Sequence, residues 1–204
     1  MVLPVKPLER AKSRLIRADR AELALAMATD TVRAAVASAE TVAAVIVVTD
    51  DPLAKASLGW AGALVVPDVP DAGLNAALTH GAGVAERMWP GLGVAALSAD
   101  LAALAPEQLG RALRAAARHP RAVVADAEGT GTVLLTAGPG VALAPAFGPA
   151  SRAAHIDAGA VDLTDLLGSS VPGLRRDVDT ADHLAEAVAL GAGDRTRAVL
   201  SRDR

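Results

Sequence analysis

Acidic residues close several of this chain's apolar runs. Asp50 and Asp51 follow "TVAAVIVVT", Asp68 follows "ALVVP", Asp100 follows "GVAALSA" and Asp126 follows "AVVA". A carboxylate just beyond a buried strand is placed to hold Mg²⁺, a hard ion that takes oxygen ligands and bridges phosphates. The plainer reading of any one such Asp is a turn residue, and Asp50 and Asp51 also suit the cap of the next helix. "DVD" puts Asp177 and Asp179 on one face of an extended segment. There they either complete a metal site or repel each other in solvent.

A different chemistry is written at the start. Residues 6–17 carry five cations: Lys6, Arg10, Lys12, Arg14 and Arg17. Lysine and arginine are the usual neutralisers of a triphosphate. A solvated basic helix start explains the run equally well. The chain has no glycine-rich P-loop and no G-x-G-x-x-G, so phosphates would be held by side chains and metal rather than a glycine cradle.

Three segments offer neutral donors. "EGTGTVLL" (128–135) sets two Gly-Thr pairs before a buried-looking strand. Glycine lets backbone approach an anion, and the hydroxyls of Thr130 and Thr132 add donors. "FGPASRAAH" (147–155) opens a helix whose freed N–H groups favour a phosphate or carboxylate, with Gly148 and Ser151 at its mouth. His155 is more simply structural and Phe147 a core plug. "GLNAAL" (73–78) presents Asn75 to a purine edge or ribose, or simply places Asn in a first helical turn.

These residues need a scaffold, and the hydrophobic pattern describes one. Strands are expected at 2–6, 41–51, 63–68, 91–101, 122–127 and 131–137, with 141–145 as a further candidate. Helices are expected from Asp19, with Glu22 completing a capping-box-like start, to about Glu40, then over 52–58, 73–89, from Pro106 to near His119, over 148–159 and over 181–190. Thr180 reads as the last helix's N-cap and Gly191 as its stop. Alternation of this kind implies an α/β fold: a mostly parallel central sheet with helices on both faces, in one domain spanning 1–193. A polar tail, 194–204, is expected to fray. Ligands of such sheets bind at the strands' carboxyl ends, where the acids and Gly-Thr pairs fall.

Composition narrows the classes. The chain has 204 residues, 52% hydrophobic and 21% charged, enough to bury one core. Its aromatics are Phe147, Trp60 and Trp89, so the core must be alanine, valine and leucine, and stacking on single-stranded nucleic acid is disfavoured. A net charge of −3 gives no pull toward nucleic acid or an anionic membrane. With no cysteine there is no disulfide, thiolate metal site or thiol nucleophile. No signal segment opens the chain, and no apolar run reaches the roughly 18 residues of a membrane helix. The expectation is a soluble cytoplasmic protein.

Taken together, "LPVKPLERAKSRL", "GLNAAL", "SADLAAL", "VVADAEGTGTVLL", "FGPASRAAH" and "DVDTADHL" resemble one family in order and spacing. It is the 2-phospho-L-lactate / phosphoenolpyruvate guanylyltransferases of coenzyme F-420 biosynthesis. The resemblance spans residues 3–184 and implies a single-domain, Rossmann-like nucleotidyltransferase fold. Ala102 and Ala181 stand where the family usually has proline, which removes no chemical group. The first strand is shorter at its N-terminal side than the family's, so a true start upstream of Met1 is expected.

The resemblance implies transfer of GMP from GTP to the phosphate of a small phosphorylated carboxylic acid, with release of pyrophosphate. Lys6, Lys12 and Arg14 would neutralise the triphosphate. Asp100 would hold Mg²⁺, with Asp177 or Asp179 as second ligand, and Asn75 would sit near the guanine or ribose. Thr130, Thr132, Gly148 and Ser151 would grip the acceptor. The implied partners are GTP, the phospho acid and the downstream deazaflavin-transferring enzyme; the acceptor's identity and the oligomeric state stay open. Other readings are a nucleotidyltransferase acting on 3-phospho-D-glycerate or molybdopterin, a receiver-like module, and a homologue that only binds nucleotide. Molybdopterin enzymes normally begin with a Gly-rich loop, which is missing. In receivers the acidic pair follows the first strand, whereas Asp50-Asp51 follows the second.

Overall fold

The computed structural model describes residues 1–10, 15, 19–69 and 71–203. Lys12 and Arg14 fall outside the described residues.

The strands are short, and burial explains their composition. β1 (Val2–Pro4), β2 (Ile46–Val48), β3 (Leu64–Val66), β4 (Val94–Leu97), β5 (Arg121–Ala125), β6 (Thr132–Ala137) and β7 (Val161–Asp162) form one sheet in the order β3-β2-β1-β4-β6-β5-β7. Along β1, β2, β4 and β5, and at Leu134–Leu135 of β6, neighbouring residues serve opposite faces. Leu3, Val47, Leu97, Val124 and Leu134 enter one apolar cluster, while Val2, Ile46, Ala96, Val123 and Leu135 enter the other. Each fully buried Val, Leu or Ile among them stabilises by roughly 2 kcal/mol.

Among these strands only β6 runs against the rest. The β4–β5 crossover contains helix α4 (Pro106–Ala116), which returns β5 parallel to β4. The connection from β5 to β6 is a short hairpin, so β6 must return antiparallel, and it lies between β4 and β5. The Gly-Thr pairs are that hairpin's turn, with Gly129 at φ 76°.

Helices cover both faces. α1 (Arg20–Ala37), α2 (Pro52–Trp60) and α4 lie over the first cluster and α3 (Leu74–Met88) over the second. α3 sits close because Gly81 faces β1; a Cβ there would stand 2.4 Å from Val2 Cγ1. α5 (Ser151–Asp157), α6 (Thr164–Leu167), α7 (Pro172–Arg175), α8 (Ala181–Ala189) and α9 (Asp194–Leu200) complete the chain.

Three expectations are corrected. Residues 141–145 form no strand but an irregular loop with Ala144 at φ 48°. The apolar run 41–51 contributes only Ile46–Val48 to the sheet. Asp194–Leu200 form α9 rather than a frayed tail: α9 docks on α1, and the Asp30 carboxylate accepts the N–H groups of Arg195 (3.1 Å) and Thr196 (2.8 Å). Thr180 does cap α8, accepting the His183 N–H at 3.2 Å. Among the described residues no helix is long and apolar enough to cross a membrane.

Candidate active site

The carboxyl ends of the parallel strands and the start of β6 share one rim. Asp51 uses its carboxylate there to accept the N–H groups of Leu53, Ala54 and Leu8. Burial pushes its pKa up, but these three donors outweigh that and hold it below the ordinary value. Asp51 is therefore a cap, as its sequence position suggests.

A second group of acids is not arranged as caps. Asp126 and Glu128, beyond β5, meet Asp177, beyond α7, with one oxygen from each within 4.8 Å of the others. Asp177 Oδ1 is buried without a hydrogen-bond partner. Burial, and then the charges of Asp100, Asp179, Asp126 and Glu128, push the Asp177 carboxyl up to about 7. An all-oxygen donor set, one buried lone pair and mutual repulsion together fit a hard divalent cation.

Arginines hold the group from behind. Arg176, 8% exposed, bonds Glu128 at 2.5 Å and Glu186 at 3.0 Å. Burial raises the Glu128 carboxyl, but the Arg176 hydrogen bond and charge win and leave it lowered. Arg175 Nη2 donates to the Asp126 carbonyl at 2.7 Å.

Asp126 also builds the hairpin turn. Its Oδ1 accepts the Thr130 N–H at 2.9 Å and its Oδ2 the Gly131 N–H at 2.8 Å. Those backbone groups are thus engaged within the turn, and the exposed Thr130 side chain stands at the rim. Arg152 clasps the other side: Nη1 donates to the Gly129 carbonyl at 3.0 Å, while Nε and Nη2 reach Asp162 at 2.9 and 2.6 Å.

Thr132, Ser151 and Gly148 lie beside this turn. The Thr132 hydroxyl is 2.9 Å from His155 Nδ1, the Arg152 N–H donates to the Thr130 carbonyl at 3.2 Å, and the Ser151 N–H to the Gly148 carbonyl at 3.2 Å. Asn75 joins them: Oδ1 accepts the Phe147 N–H at 2.8 Å, and Nδ2 donates to the Phe147 carbonyl at 3.0 Å. Lys6 is exposed beyond β1.

The structure therefore groups Asp100, Asp177 and Asp179 on one side, and Thr130, Thr132, Gly148, Ser151 and Asn75 on the other. Glu128, Arg152, Arg175 and Arg176 complete the candidate site and are missed by sequence reasoning, which marked Asp126 only as one of the acids closing an apolar run. One signal was present: Asp126 and Glu128 have the same alternate spacing as Asp177 and Asp179.

A Rossmann-like sheet with one reversed strand carries carboxylates massed at its ligand-binding rim, an arrangement suited to a metal-held phosphate ligand. The fold is similar to a nucleotidyl transferase from Methanothermobacter, with a TM-score of 0.61 at 23% identity over 93% of this chain and 97% of that one. The family model "Guanylyl transferase CofC like" matches residues 1–203, and the chain belongs to that family. It is 56% identical to the phosphoenolpyruvate guanylyltransferase of Thermomonospora curvata, over 99% of this chain and 88% of the relative. It is 54% identical to that of Frankia casuarinae, over 98% and 76% respectively.

Proposed function

We propose that this chain transfers the guanylyl group of GTP to the phosphate of phosphoenolpyruvate, releasing pyrophosphate. An acceptor phosphate oxygen attacks the α-phosphorus, and the bond to the β-phosphate's bridging oxygen breaks in line. The acceptor phosphate is already anionic at neutral pH, so no general base is required.

One observation supports this above the others: Asp126 belongs both to the carboxylate group and to the turn beside Thr132. A shared residue would fix the acceptor's place relative to a nucleotide held through the carboxylate group. Positioning of this kind is the main source of rate in phosphoryl transfer.

Asp177, with Asp126, Glu128, Asp100 and Asp179 around it, would hold Mg²⁺, which supplies charge neutralisation at the triphosphate oxygens. Lys6, Lys12 and Arg14 would neutralise the remaining charge and the leaving pyrophosphate. Thr130, Thr132, Gly148 and Ser151 would receive the acceptor's phosphate and carboxylate. Asn75 would act through the Phe147 loop rather than on guanine. The product would pass in the cytoplasm to a deazaflavin-transferring enzyme.

The test is pyrophosphate release with GTP and Mg²⁺, supplying phosphoenolpyruvate, 2-phospho-L-lactate and 3-phospho-D-glycerate separately. Release requiring both GTP and phosphoenolpyruvate is expected, with ATP and CTP inactive. Turnover confined to another acceptor would overturn the assignment.

A further inference from the structure

The loop between β6 and α5 is irregular, yet it is tied down from beneath at successive backbone groups. Ala144 and Ala150 adopt left-handed φ of 48° and 55°, and Gly148 lies between them at φ 146°. Alanine holds such angles only where its surroundings over-determine them. Here the surroundings are two side chains from different helices. His155 Nε2 accepts the Ala146 N–H at 2.9 Å. Asn75 takes both polar groups of the next residue, Phe147. The Phe147 ring then stands edge-on to the imidazole, with centroids 5.1 Å apart.

This bonding decides the tautomer of His155. A backbone amide only donates, so Nε2 carries no hydrogen and the proton resides on Nδ1. Nδ1–H must then donate to Thr132 Oγ1, 2.9 Å away. The Thr132 hydroxyl, accepting from the ring, keeps its own hydrogen for another partner. Burial first, and the Arg121 charge second, lower the ring's pKa below the ordinary imidazole value.

We propose that Asn75 and His155 are positioning residues for the acceptor: together they set the Ala146–Gly148 loop, and His155 makes Thr132 an obligatory donor toward the phospho acid's anionic groups. The proposal rests on the function above and deepens it. It assigns anion recognition to a hydroxyl whose direction is fixed by a neutral histidine. A ring with its proton on Nε2 would release the loop and turn the Thr132 hydrogen inward.

Two near-isosteric His155 variants separate its two bonds, and a third variant tests Asn75. His155→Asn keeps a donor near the Nδ1 position and loses the Ala146 acceptor. His155→Gln keeps an acceptor near Nε2 and loses the Thr132 donor. Asn75→Asp keeps the Phe147 N–H bond and loses the bond to its carbonyl. Each is expected to raise the phosphoenolpyruvate KM by about tenfold or more with the GTP KM unchanged, the size expected when a hydrogen bond to a charged group is misdirected. Unchanged acceptor KM, or GTP and acceptor KM rising together, overturns the proposal.

The second measurement is ¹⁵N NMR of the His155 ring in substrate-free wild-type protein. A protonated Nδ1 and bare Nε2 near neutral pH are expected; the opposite tautomer or a charged ring overturns the proposal. Wild-type enzyme silent with every phospho acid would overturn the function above. The ring signature, read without substrate, would still decide whether His155 orients Thr132.

Discussion

Gly131 lies directly against the Asp126 carboxylate: its N–H donates to Oδ2 at 2.8 Å, and a Cβ on it would stand 2.3 Å from the same oxygen. The glycine keeps space for a side chain that works in two places. Asp126 closes the hairpin turn and faces Glu128 and Asp177.

Gly131→Ala should therefore damage activity more than stability. The methyl group pushes the carboxylate off both N–H donors and away from the other acids. We expect kcat/KM to fall by roughly a hundredfold, near 3 kcal/mol of transition-state stabilisation, while thermal unfolding shifts by only a few degrees. Steady-state kinetics beside a melting curve decide it; near-wild-type kcat/KM would show that Asp126 does not link turn and metal.

Asp177 gives a pH signature. Its carboxyl is raised from 3.8 to about 7 by burial and by Asp100, Asp179, Asp126 and Glu128. The folded state thus binds a proton that the unfolded state has lost. That contribution to stability is complete below about 3.8 and disappears as pH rises through about 7. In chelator, Tm should decline between pH 5 and pH 8 on this account, and Asp177→Asn should flatten the decline. Magnesium should raise the wild-type Tm more at pH 8 than at pH 6. Equal pH slopes for wild type and variant would remove Asp177 from the site.

Arg152 joins the Gly129 carbonyl to Asp162. Burial raises the Asp162 carboxyl, yet bonds from Thr164 and Arg152 hold it below the ordinary value. Arg152→Met should loosen the turn beside Thr130 while removing no contact to Glu128 or Asp177. The expected outcome is an acceptor KM raised about tenfold with Mg²⁺ dependence unchanged. A shifted Mg²⁺ requirement at constant acceptor KM would contradict the division of the site.

Asp30 provides a contrast remote from the rim. It holds the first turn of α9 through Arg195, Thr196 N–H and the Thr196 hydroxyl. Asp30→Ala should cost about 2 kcal/mol and lower Tm by roughly 5 °C. At a temperature where the variant is folded, kcat should match wild type. A loss of kcat without loss of Tm would tie α9 to the site.

Part of this molecule is local and was legible in the order of residues. Apolar β-branched runs mark strands, Asp51 and Thr180 mark helix starts, and acids fall where strands end. These follow from backbone propensity, side-chain burial and capping, which act over a few residues. The motifs spanning residues 3–184 likewise carry the family resemblance, and the family match over residues 1–203 agrees with it. Tertiary structure alone decided which groups meet. β6 is reversed because its hairpin inserts it between β4 and β5, a sheet-level outcome. Asn75 finds Phe147 72 positions away, and Arg176 finds Glu128 48 away. Periodicity records which face a side chain takes, but not what lies opposite. The sequence therefore determined a sheet with carboxylates at one rim; only the fold chose Asp126, Glu128 and Asp177 as the ones that converge, and turned the Asn75 amide toward the Phe147 loop.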